Sequence, residues 1–237
     1  MIAIALSLLT LPAPAQLGVL AQSSPQGTPQ RAAISTVVLD PAHGGSDAGA
    51  RGASGVVESD VVLTFARLLR AELERQGLRV VLTRQGNDNP SFDDRAATAN
   101  GQRNAIFISL HVSSTGPVGT ARAYSVPQTT APEAKTAAER PVLLRWDEAQ
   151  EPFAALSRRL AELVQIQLAQ KFRGSPEVPP ESPVHQLKTV AAPAIAIEIS
   201  SVSVPDRAPL ELMAQPLAEA VARGVAAFRS WNGMGAR

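Results

Sequence analysis

Apolar and polar positions follow two alternating rhythms along most of the chain. Short apolar and β-branched runs at Thr36–Leu39, Leu78–Arg84, Ala105–Leu110 and Pro193–Ser200 read as buried strands. Between them, apolar residues recur every three or four positions. Val62, Phe65, Leu69 and Leu73 form one such stripe, and Phe153, Leu156, Leu160, Leu163 and Gln167 or Leu168 a second. Leu210, Met213, Leu217, Val221 and Phe228 form a third. Each predicts an amphipathic helix. A shorter helix is expected over Phe92–Asn100, an edge strand over Gly119–Val126, and a strand-like stretch over Val184–Lys188. Strand, helix, strand, helix, strand is the order of an α/β fold. The expectation is one domain with a mostly parallel twisted sheet of about six strands and helices on both faces.

The ends of the apolar runs carry the chemistry. The first run stops at Asp40-Pro41-Ala42-His43-Gly44-Gly45. Proline and glycine end the strand and turn the backbone, leaving a histidine at its tip. That position suits a metal ligand or a base better than a packing residue. His111 stands just beyond Leu110, the last apolar residue of its run, and the whole chain has three histidines. Glu58 opens the helix that follows the first strand, and Glu198 lies at the end of the last apolar run. A carboxylate there is costly to bury without a partner. The third histidine, His185, reads as structural or rim-located.

In an open parallel sheet, ligands bind outside the carboxyl ends of the strands. His43, Glu58, His111 and Glu198 can therefore converge on one crevice. Two imidazoles and a carboxylate are a common catalytic zinc set with one position open for water. Glu198 is then expected to act as general base on the zinc-activated water and to return the proton to a leaving amine. This chemistry is hydrolysis of an amide or ester.

Composition narrows the alternatives. The 22 basic and 21 acidic residues nearly cancel and aromatics are few, so nucleic acid is not an expected partner. With no cysteine there is neither a thiolate nucleophile nor a thiolate ligand. No Gly-x-Ser-x-Gly elbow appears, and the glycine-rich Ser46–Gly55 loop lacks the Gly-Lys-Ser/Thr of a phosphate loop. Residues 1–21 resemble a secretory signal peptide, with an apolar run followed by small-residue cleavage sites. Residues 22–33 read as a Ser/Pro/Gln-rich linker and 34–231 as the catalytic domain. An irregular insertion at about 127–149 is expected near the rim of the site.

Ordered blocks then carry a family resemblance. Val38-Leu39-Asp40-Pro41-Ala42-His43-Gly44-Gly45-Ser46-Asp47-Ala48-Gly49-Ala50, followed by Glu58-Ser59-Asp60, resembles the opening of zinc-dependent N-acetylmuramoyl-L-alanine amidases. Leu82-Thr83-Arg84, Arg95–Asn100, Ile108–His111 and Pro193–Glu198 resemble later blocks, in order. The chain departs from the family at Ala42, where glycine is usual, at Ser113, where asparagine is usual, and after Glu198. The resemblance implies a six-stranded α/β fold and one zinc ion on His43, Glu58 and His111, with Glu198 as the catalytic carboxylate. It implies cleavage of the amide between the lactyl group of N-acetylmuramic acid and L-alanine of the stem peptide. The expected partner is peptidoglycan or a muropeptide, the expected state a monomer, and the expected place the periplasm or cell envelope. An activator protein is expected if residues 127–149 occlude the site. Two other readings stand beside this one: a non-catalytic peptidoglycan-binding module of the same fold, and a zinc peptidase acting on another amide.

Overall fold

A computed structural model of the protein describes residues 33–127 and 145–234. The signal-like segment, all of the linker but its last residue, and residues 128–144 of the expected insertion lie outside the described residues. The elements run β1 (Thr36–Pro41), α1 (Glu58–Arg75), β2 (Arg79–Leu82), α2 (Phe92–Asn100), β3 (Ala105–Ser113) and β4 (Thr120–Tyr124). They continue with α3 (Ala154–Lys171), α4 (His185–Lys188), β5 (Ala194–Ser200) and α5 (Ala208–Met234). The strands form one sheet in the order β2-β1-β3-β5-β4. Every pairing is parallel except that of β4, which runs antiparallel along β5 at the edge.

Strand side chains alternate between faces, and here the two faces have different fates. Val37 and Leu39 of β1, Ile106, Ile108 and Leu110 of β3, and Ile195, Ile197 and Ile199 of β5 share one face. They are buried with Phe65 and Leu69 of α1, Leu160 and Val164 of α3, and Leu217, Val221 and Phe228 of α5. Each large side chain removed from water contributes roughly 1.5–3 kcal/mol, so this face supplies most of the folding drive. The opposite face starts apolar, with Val38, Phe107 and Ala194 packed under Ala96 and Ala99 of α2 and Leu187 of α4. Toward the carboxyl ends of the strands it turns polar, first at Asp40 and Ser109, then at His111, Glu198 and Arg122.

The α/β class and the two-sided helical cover agree with the sequence. The strand count differs: the described residues hold five strands, and Val184–Lys188 is not one of them. Its core forms the short helix α4. Val184, Leu187 and Val190 recur at three-residue spacing, which suits a helix and not an alternating strand. Strand β5 is also paired on both sides, by β3 and β4. The histidine strand runs further than its apolar stretch suggests, the second strand stops at Leu82, short of the expected Arg84, and the glutamate strand ends at Ser200 as expected. His111 and Glu198 lie inside β3 and β5, because Val112 and Ile199 beyond them still face the core.

Candidate metal centre

Three of the four predicted residues meet. His43, Glu58 and His111 each offer a ligand atom, and these atoms lie within 4.8 Å of one another. His43 comes from the turn after β1, Glu58 from the first residue of α1, and His111 from β3. The two imidazoles stand edge to face, with ring centroids 5.6 Å apart. Glu58 bridges them. Its Oε2 is 3.2 Å from His43 Nε2 and its Oε1 is 3.1 Å from His111 Nδ1. The same two oxygens accept hydrogen bonds from the backbone amides of Ala50 (2.8 Å) and Val112 (2.9 Å). The buried carboxylate thus ties the glycine-rich loop to β3.

Electrostatics follow from this packing. Burial opposes the charge on Glu58, but hydrogen bonds from His111, His43 and the Ala50 amide outweigh it and hold its pKa well below the usual carboxylate range. The same Glu58 hydrogen bond, assisted by Asp47 and opposed by burial, pushes His43 up to about 9. The cluster therefore favours a negative carboxylate between two positively charged or hydrogen-bonding imidazoles. Asp47 Oδ2 accepts from His43 Nδ1 at 2.8 Å, which leaves Nε2 facing Glu58 and the cluster. An outer carboxylate on the non-ligating nitrogen is the usual way to orient a metal-binding histidine.

The backbone beneath the cluster is held in an unusual shape. His43 adopts a left-handed conformation (φ 61°), which non-glycine residues seldom occupy. Two buried arginines hold the carbonyls on either side of the turn. Arg84 Nε donates to Pro41 O at 2.7 Å and its Nη2 to Ala42 O at 2.9 Å. Arg95 Nη2 donates to His43 O at 3.0 Å. Gly49 (φ 66°) closes the loop over the cluster, where an added Cβ would lie 2.5 Å from Glu58 Oε2 and 2.6 Å from the His43 ring. No side chain fits there.

Asp40 anchors this layer. It is fully buried, pairs with Arg95 Nη1 at 2.6 Å, and accepts from Thr83 Oγ1, Ser109 Oγ and Gln186 Nε2. Ser109 Oγ in turn lies 3.2 Å from His111 Nε2. Asp40→Ala would leave the Arg95 guanidinium buried without its counter-charge. Urea unfolding of this variant is expected to show a loss of about 3–5 kcal/mol. A loss within about 1 kcal/mol of zero would mean that the carbonyls around Arg95 neutralise it alone.

Glu198 is placed beside the cluster and not in it. It is the register neighbour of His111 across the β3–β5 pair. Arg122 Nη1 lies 3.4 Å from its Oε1, and the Tyr124 hydroxyl 3.5 Å from the same oxygen. Burial, with the Glu198 charge beside it, pushes the Tyr124 hydroxyl above its ordinary pKa, so it stays a donor. His185 lies outside the cluster and stacks edge-on against exposed Phe92, with centroids 5.6 Å apart. Asp40, Asp47, Ser109 and Arg122 were not expected from sequence. The pattern held a signal for Asp40 and Ser109 alone, as polar residues inside apolar strand runs.

Comparison with known proteins gives a consistent result. A family model described as N-acetylmuramoyl-L-alanine amidase matches residues 37–227. The N-acetylmuramoyl-L-alanine amidase AmiA of Escherichia coli K12 is 30% identical over 222 residues, covering 82% of this chain and 76% of that protein. AmiC of an Escherichia coli O6:H1 strain is 42% identical over 93 residues, 38% of this chain, and the match spans 22% of that longer protein. Among solved structures, the amidase AmiC2 of Nostoc punctiforme superposes with a TM-score of 0.63 at 25% identity, covering 82% of this chain and 97% of that one.

Proposed function

The chain belongs to the N-acetylmuramoyl-L-alanine amidase family, and from that premise we propose that it cleaves peptidoglycan at the amide joining the lactyl group of N-acetylmuramic acid to L-alanine. In this reading His43, Glu58 and His111 hold one zinc ion and Glu198 moves the proton. The observation that carries it is the convergence of two imidazoles and one carboxylate beside a second carboxylate on the neighbouring strand.

The donor set fits such an ion. The ligand types are those of a catalytic zinc site, and three ligands leave a position for substrate or water. Zinc bound there supplies Lewis-acid activation of the scissile carbonyl and of the attacking water. The rest falls to the chain. Asp47 orients His43, and the Ala50 and Val112 amides fix the Glu58 carboxylate. Glu198, partly exposed on the strand beside His111, takes a proton from the attacking water and returns it to the departing amine of L-alanine. The carbonyl carbon gains the water oxygen, the C–N bond breaks, and the proton balance closes on Glu198.

Residues 34–231 form the catalytic unit in this proposal. Its substrate lies outside the cytoplasm, in keeping with the signal-like segment 1–21 and delivery to the periplasm or cell envelope. Among the described residues, no helix is long and apolar enough to cross a membrane. An activator protein belongs to this proposal if residues 127–149 occlude the site.

The test is digestion of intact peptidoglycan by the protein with and without a chelator, with the new ends identified by mass spectrometry. Stem peptides beginning with L-alanine are expected, lost on chelation and restored by zinc. Cleavage of free stem peptides but not of the intact polymer would replace this reading with that of a peptidase.

A further inference from the structure

The strand register places a metal-cluster residue, a carboxylate and a guanidinium in one row. His111 of β3 pairs with Glu198 of β5, and Glu198 pairs with Arg122 of β4. Paired residues project from the same face, and adjacent strands lie about 4.8 Å apart. Arg122 therefore flanks Glu198 on the side away from His111. Its Nη1 reaches Glu198 Oε1 at 3.4 Å, and the Tyr124 hydroxyl, one pleat below, approaches that oxygen at 3.5 Å.

We propose that Arg122 is a positioning residue for the reaction, holding one oxygen of Glu198 so that the other meets the proton of the attacking water. The inference rests on the amidase reading above. Its physical basis is the difference between a pinned and a free carboxylate. Glu198 is partly exposed on a flexible stem, and proton transfer requires hydrogen-bond reach at the moment of reaction. Arg122 is itself directed by its strand, and its planar fork has a fixed direction that a lysine ammonium lacks. Both contacts fall on Oε1, which gives the carboxylate a defined orientation. The pair adds little to folding, because its side chains are 26% and 31% exposed and such pairs are weak. Its use is in orienting Glu198.

The test uses the zinc-loaded full chain acting on a defined muropeptide. Arg122→Ala is expected to lower kcat about 10- to 100-fold, the usual scale of one charged hydrogen bond, with KM changed less than about threefold. Zinc content and circular dichroism should match the unaltered protein. Arg122→Lys is expected to recover part of the loss. Millimolar methylguanidinium should raise the rate of Arg122→Ala and leave that of Glu198→Gln unchanged. A rise in KM at constant kcat would overturn the proposal, since Arg122 would then be binding substrate directly. An unchanged rate in Arg122→Ala would also overturn it, as would a loss that neither lysine nor methylguanidinium relieves. An unaltered protein that leaves the lactyl–L-alanine bond intact would sink the amidase reading instead, a result separable from all of these.

Discussion

Glu198→Gln is expected to bind zinc as the unaltered protein does and to lose a factor of about 10²–10⁴ in turnover, the range that a positioned general base contributes. The substitution is nearly isosteric, so the shape of β5 and its surroundings should persist. The amide cannot take a proton from water or deliver one to a leaving amine. Metal binding should survive because the compact cluster consists of His43, Glu58 and His111, with Glu198 one strand over. The measurement is paired: metal content by elemental analysis and release of L-alanine-terminated peptides from the same preparation. Turnover within about threefold of normal would remove Glu198 from the mechanism. Loss of zinc together with activity would make Glu198 a ligand and not a base.

Glu58→Gln should be more damaging, abolishing metal retention along with activity. Weakening the outer partner of a ligand typically costs about 10–100-fold in metal affinity, and loss of a ligand's own charge should exceed that. The geometry adds a second fault. Both Glu58 oxygens accept a backbone N–H, from Ala50 and from Val112. A glutamine offers one oxygen and one NH₂, so one of those amides would face a donor. Either the side chain rotates away from the histidines or a buried N–H goes unsatisfied, and the loop around Gly49 loosens. Competition with a chromogenic chelator would measure the affinity. An affinity within tenfold of the unaltered protein would show that the two histidines hold the ion without a carboxylate.

Most of the architecture was legible in the chain because it is written in local periodicity. The stripe Val62, Phe65, Leu69 and Leu73 is helical since burial against a sheet favours that spacing. The runs around Val38, Ile108 and Ile197 are strands since both of their faces are covered. The short helix α4 is not legible in the sequence, because four residues are too few for one period to outweigh another. Its assignment was decided by where Leu187 could be buried and by the absence of a vacant edge on β5. The family match over residues 37–227 agrees with the ordered motifs from Val38 to Glu198.

The sequence by itself determined the alternation of elements and the placing of His43, His111 and Glu198 toward the carboxyl ends of strands and of Glu58 at a helix start. These depend on residues close together in the chain, where steric preference and burial period act directly. Only the tertiary structure decided which distant polar groups meet. The Asp40–Arg95 pair spans 55 positions and the Arg122–Glu198 pair 76. Such partners are set by strand order and register, which arise from pairing and packing across the whole sheet, and no spacing along the chain encodes them.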